Sequence, residues 1–298
     1  FVLFWKRRWL RTLPNYFLIL VVNVLLALFI GPQLPDAIGL YGLFLQNFSL
    51  PHPDFFTEAW SLSVEEYAYL LLPFLLYLGT FINTRMDRTH LFGLITVLTI
   101  LLLLLLKVDF VLNAEITSYK DWSLTFRKVV IYRLDSIYLG FLLVYAMSVL
   151  PEFFNRHKTT LFGLGIALFI GLHVFMYVFN LLPEMHLWFY TFIYLQVVIL
   201  SLGLLFPFCV KLQAGPIINR ITVFVSTRSY AIYLVNYSIV LLHFQMLIDV
   251  NNYSVAGKVS LVAIFLVITV VLSNLVYLYF EQPILNYRNR KFPKHIEN

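Results

Sequence analysis

The chain has 298 residues, of which 61% are hydrophobic and 12% charged, with a formal net charge of +6. A mean hydropathy of +0.84 and repeated apolar runs near the length of a membrane crossing exclude a soluble domain and describe an integral membrane protein. The basic excess does not indicate nucleic acid, because most of it sits in short loops between apolar runs, where it sets topology. A single cysteine, Cys209, lies in an apolar run; it excludes an internal disulfide framework and a multi-cysteine metal site, and its role is packing.

In chain order the apolar runs cover 14–30, 62–82, 90–107, 129–149, 160–181, 187–209, 229–247 and 258–280. A further run, 37–48, is too short to cross, since a span takes about 20 residues; it is predicted to be re-entrant or interfacial. The predicted fold is all-α, a polytopic transmembrane helix bundle of about eight spans plus that short helix, forming a single domain over residues 1–298. The chain opens at Phe1 on a basic cluster, without an initiator methionine or a signal peptide, so the true N-terminus is expected upstream. With the first cluster inside, the basic residues at 6–11, 85–88, 156–158, 211–228 and 288–294 are cytoplasmic, whereas Lys107, Lys120, Arg127, Lys128, Arg133 and Lys258 lie outside or at the outer boundary. That bias follows the positive-inside rule and places the chain in a cell membrane with its C-terminus cytoplasmic. Letting 37–48 cross would invert every later loop.

Charge within a bilayer is costly and therefore usually functional. Glu65 and Glu66 stand at the mouth of the second run. If Ser61 opens the helix, Ser61, Glu65 and Tyr69 recur at i, i+4 and i+8 on one face, with Glu66 turned about 100° away. The structural alternative is a capping box of Ser63 and Glu66. Arg7, Arg8 and Arg11 precede the first run; their guanidinium forks suit phosphate and would equally anchor anionic lipid.

Arg133 and Asp135 point about 160° apart around a helix, so each needs another partner, with Glu65 or Glu66 the candidate for Arg133; a buried interhelical ion pair is the structural alternative. Ser229, Tyr233, Asn236 and His243 form a polar stripe that either lines a site or joins helices. In the last run Asn274, Tyr277 and Glu281 share a face, and Pro283 is expected to stop the helix. Glu281 opposes the helix dipole there and calls for a partner, an Arg of the first cluster. His173 and His243 are read as hydrogen-bonded packing residues.

These segments, in order, resemble motifs of the membrane-bound acyltransferase-3 family. FWKRRWLRTLPNY, Phe4 to Tyr16, resembles F-x-x-R-R-x-x-R-x-x-P, and WSLSVEEYAYLLLP, Trp60 to Pro73, resembles W-S-L-x-x-E-x-x-x-Y-x-x-x-P. YRLDSIYLG resembles R-x-D-x-x-x-x-G through Arg133, Asp135 and Gly140, and YLYFEQP resembles Y-x-x-x-E-x-P through Tyr277, Glu281 and Pro283. SYAIYLVN, from Ser229, resembles S-Y-x-I-Y-L-x-H but carries Asn236 where the family often has histidine. Asparagine binds but does not shuttle a proton near neutral pH.

The resemblance implies an enzyme that moves acetyl or another short acyl group from cytosolic acyl-CoA to a hydroxyl of a cell-surface glycan or lipid-linked sugar, among membrane lipids and without a metal. It implies catalytic roles for Glu65, Glu66, Arg133 and Asp135, and substrate contacts from Trp60, Ser61, Tyr69, Ser229, Tyr233 and Asn236. It implies acyl-CoA binding by Arg7, Arg8, Arg11 and Glu281. It also implies two preceding spans, the first carrying an R-x10-H motif with the catalytic histidine, so the chain as it stands is expected to be inactive. The other classes are a transporter or flippase for a lipid-linked glycan, which usually shows paired halves not found here, and a family member that keeps the fold without the base.

Overall fold

The computed structural model describes residues 2–30, 34–82 and 86–293, so Arg85, Lys294 and His295 lie outside the described residues. Among the described residues, eight helices are long and apolar enough to cross a membrane. They are α1 (Val2–Phe29), α2 (Ala59–Ile82), α3 (Arg88–Asn113), α4 (Val130–Val149), α5 (Pro151–Val178), α6 (Leu187–Cys209), α7 (Pro216–Leu247) and α8 (Val255–Lys291). No strand forms among the described residues. The protein is an all-α, multi-pass membrane protein. Within 37–48 the helical part is a short 3-10 segment, Ile38–Leu43, far below crossing length.

Local chemistry sets several helix ends. The Asp87 side chain accepts from the Thr89 N–H at 3.0 Å at the start of α3, which holds its carboxyl below the usual carboxylate range. Ser254 caps α8 by accepting from the Gly257 N–H, and Pro151 and Pro216 occupy first-turn positions of α5 and α7, where a missing N–H costs nothing.

Three expectations about helix ends are corrected. α2 opens at Ala59, so Ser61 is not its first residue. Ser63 lies inside the helix and its Oγ accepts from Gln46 Nε2 at 2.8 Å, so Ser63 and Glu66 form no capping box. Pro283 does not stop α8: a π-turn, Tyr277–Glu281, widens the helix just before it, and Pro283 takes a first-turn position of the continuation Gln282–Lys291.

The chain divides into two compact units. One comprises Phe1–Leu43, Pro53–Ala59 and Ala214–Asn298, and contains α1, α7 and α8. In it α1 buries Thr12, Asn15, Tyr16, Ile19 and Asn23, a single stripe at helical spacing that is more polar than apolar. The other comprises Phe44–His52 and Trp60–Gln213, and contains nearly all of α2 together with α3 to α6. Its core joins Val64, Ala68 and Leu72 of α2 to Leu103 of α3 and Leu134 and Tyr138 of α4. A second, aromatic cluster gathers Phe110, Trp122, Phe126 and Tyr190. Outward-facing positions are apolar, as with Leu105 at 67% and Val262 at 57% exposure. That distribution suits hydrocarbon as the surrounding solvent.

Candidate active site

In the unit holding α1, α7 and α8, the chain reaches α2 through a strained turn. Phe56 adopts φ 40, a left-handed conformation, and its buried ring stacks on Tyr16 with centroids 5.5 Å apart. The turn delivers Glu58, whose side chain is buried. Glu58 Oε1 accepts from the backbone N–H of Ser238 at 2.6 Å, and the Glu58 carbonyl accepts from Tyr233 Oη at 2.8 Å. Burial pushes the Glu58 carboxyl above the usual carboxylate range, and the Ser238 N–H draws it part of the way back.

Ser238 is free to donate because α7 passes through a π-turn, Asn236–Leu241, which breaks the regular i to i−4 ladder. The same turn shifts the register beyond Asn236. His243 Nδ1 lies 3.1 and 3.0 Å from the carbonyl oxygens of Ser238 and Ile239 and donates to them, bracing the turn. Its Nε2 is buried without a hydrogen-bond partner, beside a cavity of about 40 Å³ shared with Asn23, Asp54 and Thr57. Of the predicted stripe, Ser229 is exposed and donates to the Ser226 carbonyl, and Asn236 donates to the carbonyls of Ile232 and Tyr233. Tyr233 is therefore the member of that stripe that reaches Glu58, a residue that sequence reasoning left unused; its only signal was a carboxylate just ahead of a span.

At the other end of α1 the structure assembles a basic cluster. Arg7 donates to the Phe292 carbonyl, Lys6 lies over the Phe292 ring at 5.7 Å, and Arg288 lies within electrostatic reach of Arg7 and Arg11. Arg7 and Arg8 are half-buried, and Arg11 is exposed. Beside the cluster runs a groove of about 490 Å³ lined by Trp9, Leu13, Phe17, Tyr287 and Phe292, with Lys6 at its edge. Glu281 is buried, and its Oε2 accepts from Asn15 Nδ2 at 2.8 Å. The partner expected for Glu281, an arginine, is corrected to Asn15; Arg11 acts on it only through space. Arg228, a further unpredicted contact, donates to Asn274 Oδ1 at 2.7 Å and lies over the Tyr277 ring at 4.6 Å.

In the unit holding α3 to α6, the start of α2 is tied to its neighbours by the segment Phe44–His52. Asn47 Nδ2 donates to the carbonyls of Trp60 and Lys128, and the Asn47 carbonyl accepts from the Val130 N–H that opens α4. Arg127 lies over the Trp60 ring at 5.6 Å and donates from Nε and Nη2 to Ser123 Oγ. Ser61, Glu65 and Tyr69 share a half-buried face, Tyr69 meeting Phe141 edge-on, while Glu66 turns inward and is buried.

Asp135 is held from three sides. Lys107 Nζ lies 2.5 Å from Asp135 Oδ2, Gln196 Nε2 donates to the same oxygen at 3.0 Å, and Ser136 Oγ reaches Oδ1 at 3.4 Å. Lys107, expected at an outer boundary, is instead fully buried. Arg133 forms no ion pair with Glu65 or Glu66, which corrects that expectation; its Nε and Nη1 are buried without a hydrogen-bond partner. α4 ties Asp135 to Lys107, and Asp135 is also the first electrostatic neighbour of Arg133, followed by Arg127 and Tyr194 of α6.

The acyltransferase-3 family model, described as an acyltransferase domain, matches residues 1–278. The O-acetyltransferases OatA of Staphylococcus aureus strains NCTC 8325 / PS 47, COL and MRSA252 are each 23% identical over 304 residues, covering 94% of this chain and 47% of the relative. The chain thus spans about half the length of the curated relatives it matches. No solved structure matches it.

Proposed function

This chain belongs to the acyltransferase-3 family, and from that premise we propose that it moves acetyl or another short acyl group from cytosolic acyl-CoA to a hydroxyl of a cell-surface glycan or lipid-linked sugar. The observation that carries the reading is the match of an acyltransferase domain to residues 1–278. In the reaction the acceptor oxygen bonds to the thioester carbonyl carbon, the carbon–sulfur bond breaks, the acceptor hydroxyl proton passes to a base, and the departing thiolate takes up a proton.

Arg7, Arg8 and Arg11 receive the phosphates of the donor, helped by Arg288, which the sequence reading did not include. Several like charges kept within reach of one another are unfavourable unless an anion comes between them, and a guanidinium offers a phosphate two parallel donors. The groove of Trp9, Phe17, Tyr287 and Phe292 beside them suits the flat and aliphatic parts of the same donor. Glu281, pinned by Asn15, braces α8 behind the cluster.

On the acceptor side, Glu65 with Ser61 and Tyr69 offers a carboxylate, a hydroxyl and a phenol on one face, the chemistry that hydrogen-bonds sugar hydroxyls. Trp60 supplies a flat apolar surface, Glu66 adds a buried carboxylate next to Glu65, and Asp135 ties α4 to α3 through Lys107. Arg133 contributes the positive charge of this region, and Tyr233, with Ser229 and Asn236 on its helix, steadies the Glu58 turn. The protein is placed in the cell membrane with its basic loops and C-terminus cytoplasmic, so that the donor meets Arg7 and Arg11 from the cytosol.

Measured on the full-length protein, Arg11→Gln with Arg288→Gln is expected to raise KM for acetyl-CoA by about tenfold, the scale of one charge-assisted hydrogen bond, with kcat little changed. An unchanged KM for acetyl-CoA in the double variant would overturn this assignment of the donor site.

A further inference from the structure

The α4–α6 seam carries two features that together go beyond the charge Arg133 lends to the proposed acceptor region. The first is Arg133, in the opening turn of α4, with Nε and Nη1 buried and unpartnered. Asp135 acts on Arg133 through space but makes no hydrogen bond to these nitrogens, and a guanidinium within a span whose donors are unused points to an anion that is bound there in the working protein. The second is a groove of about 510 Å³, lined by residues that include Gly140, Leu143, Ala146, Phe154, Gly203 and Phe206. Its walls are almost entirely aliphatic or aromatic, and they lie on outward faces, with Leu200 at 56% and Phe206 at 49% exposure.

The two features share one face. Arg133, Ile137 and Gly140 recur at i, i+4 and i+7 along α4, and seven residues of helix rise about 10 Å. α6 lines both ends, with Tyr194 beside Arg133 and with Leu200, Gly203 and Phe206 along the groove. Gly140 itself is open: a Cβ built there meets nothing within 4 Å.

We propose that α4 and α6 seat a phosphate-bearing membrane amphiphile, its head on Arg133 and its aliphatic tail in the groove below Gly140. The bilayer supplies the tail, because the groove opens where hydrocarbon surrounds the helices. Charge selects the head. Arg133 offers two free N–H donors; the Asp135 carboxylate nearby is already held by Lys107 and Gln196, and the Arg127 guanidinium and the Tyr194 hydroxyl act on the same place. Two cations and a phenol suit the higher charge and the several oxygens of a phosphate better than a carboxylate. The glycine keeps the passage between head and tail sites clear. This seat adds a lipid site to the region where the acyl-transfer reading uses Arg133, and its labelling readout does not rely on transfer activity.

The test uses full-length protein in a phosphate-free detergent, with hexadecyl phosphate carrying a diazirine at the tail end, and with hexadecanol and palmitate bearing the same group. After irradiation, peptide mass spectrometry reads where the tail has bonded. The expected result is labelling of 139–146 and 199–206 by the phosphate probe at about ten times the level given by the alcohol. Arg133→Gln lowers phosphate-probe labelling to the alcohol level, and Gly140→Leu, whose Cβ meets nothing within 4 Å and whose branched end occupies the groove, abolishes labelling by both. Equal labelling by phosphate and alcohol in the unaltered protein, palmitate labelling as strong as phosphate, or undiminished labelling in Gly140→Leu would each overturn the proposal. The first two comparisons need no variant to fold.

Discussion

Lys107 Nζ and Asp135 Oδ2 lie 2.5 Å apart with side chains 0% and 1% exposed, joining α3 to α4 across 28 residues of sequence. Desolvating both charges is expensive, and their attraction in a low-dielectric interior offsets that cost only while both are present. Lys107→Met is therefore expected to lower stability in detergent by about 3 kcal/mol or more, because it strands a buried carboxylate. Lys107→Met with Asp135→Leu should recover most of the loss in thermal unfolding. A double variant as unstable as the single one would contradict the pairing.

The Glu58 carboxyl gives the fold a pH dependence of defined sign. Burial raises its pKa in the folded chain, so the folded state holds the proton at pH values where the unfolded chain has lost it. Its contribution is fully present below the ordinary carboxylate pKa and is lost as pH rises through the raised value. Glu58→Gln keeps an oxygen to accept from the Ser238 N–H and has no proton to lose. Its unfolding temperature should fall less than that of the unaltered protein as pH rises through this window; identical slopes would exclude Glu58 as the source.

Gly165 sets how closely α5 approaches α6. A Cβ there would lie 2.6 Å from the Ser201 carbonyl oxygen and 2.9 Å from Leu205 Cδ2, and backbone cannot give way as a flexible side chain does. Small residues at such crossings let membrane helices meet. Gly165→Val should cost about 1–3 kcal/mol by overpacking, visible as a lowered unfolding temperature, whereas Gly163→Ala, whose Cβ meets nothing within 4 Å, should be near neutral. Equal effects at the two positions would contradict the close approach.

The spans were legible because the length of an apolar run is a local property, and the 37–48 segment was kept out of the crossings on its length together with the distribution of basic residues. Helix extents were less so: α1 begins at Val2 and α7 at Pro216, well before their apolar runs, because amphipathic interfacial segments continue a helix without looking like a span. Pairings were mostly hidden. Glu281 meets Asn15 across 266 residues, and nothing near Glu281 marks an asparagine as its partner. Lys107 read as a boundary charge because its environment is supplied by α4 and by the Phe126 ring 5.5 Å away. The π-turns at Asn236–Leu241 and Tyr277–Glu281 leave no periodic signature, yet they decide that Ser238 meets Glu58 and that α8 continues through Pro283. The five motif segments were found in order because they rest on residue identity, which survives without knowledge of contacts.

Transfer itself is the most direct test of the central claim. Full-length protein would be reconstituted in proteoliposomes and given acetyl-CoA labelled in its acetyl group together with purified cell-surface glycan. The account predicts labelled acetyl ester on the glycan, dependent on acetyl-CoA and reduced when Arg11 and Arg288 are both replaced by glutamine. Movement of glycan across the bilayer without acetyl-CoA, with no ester formed on any candidate acceptor, would contradict it.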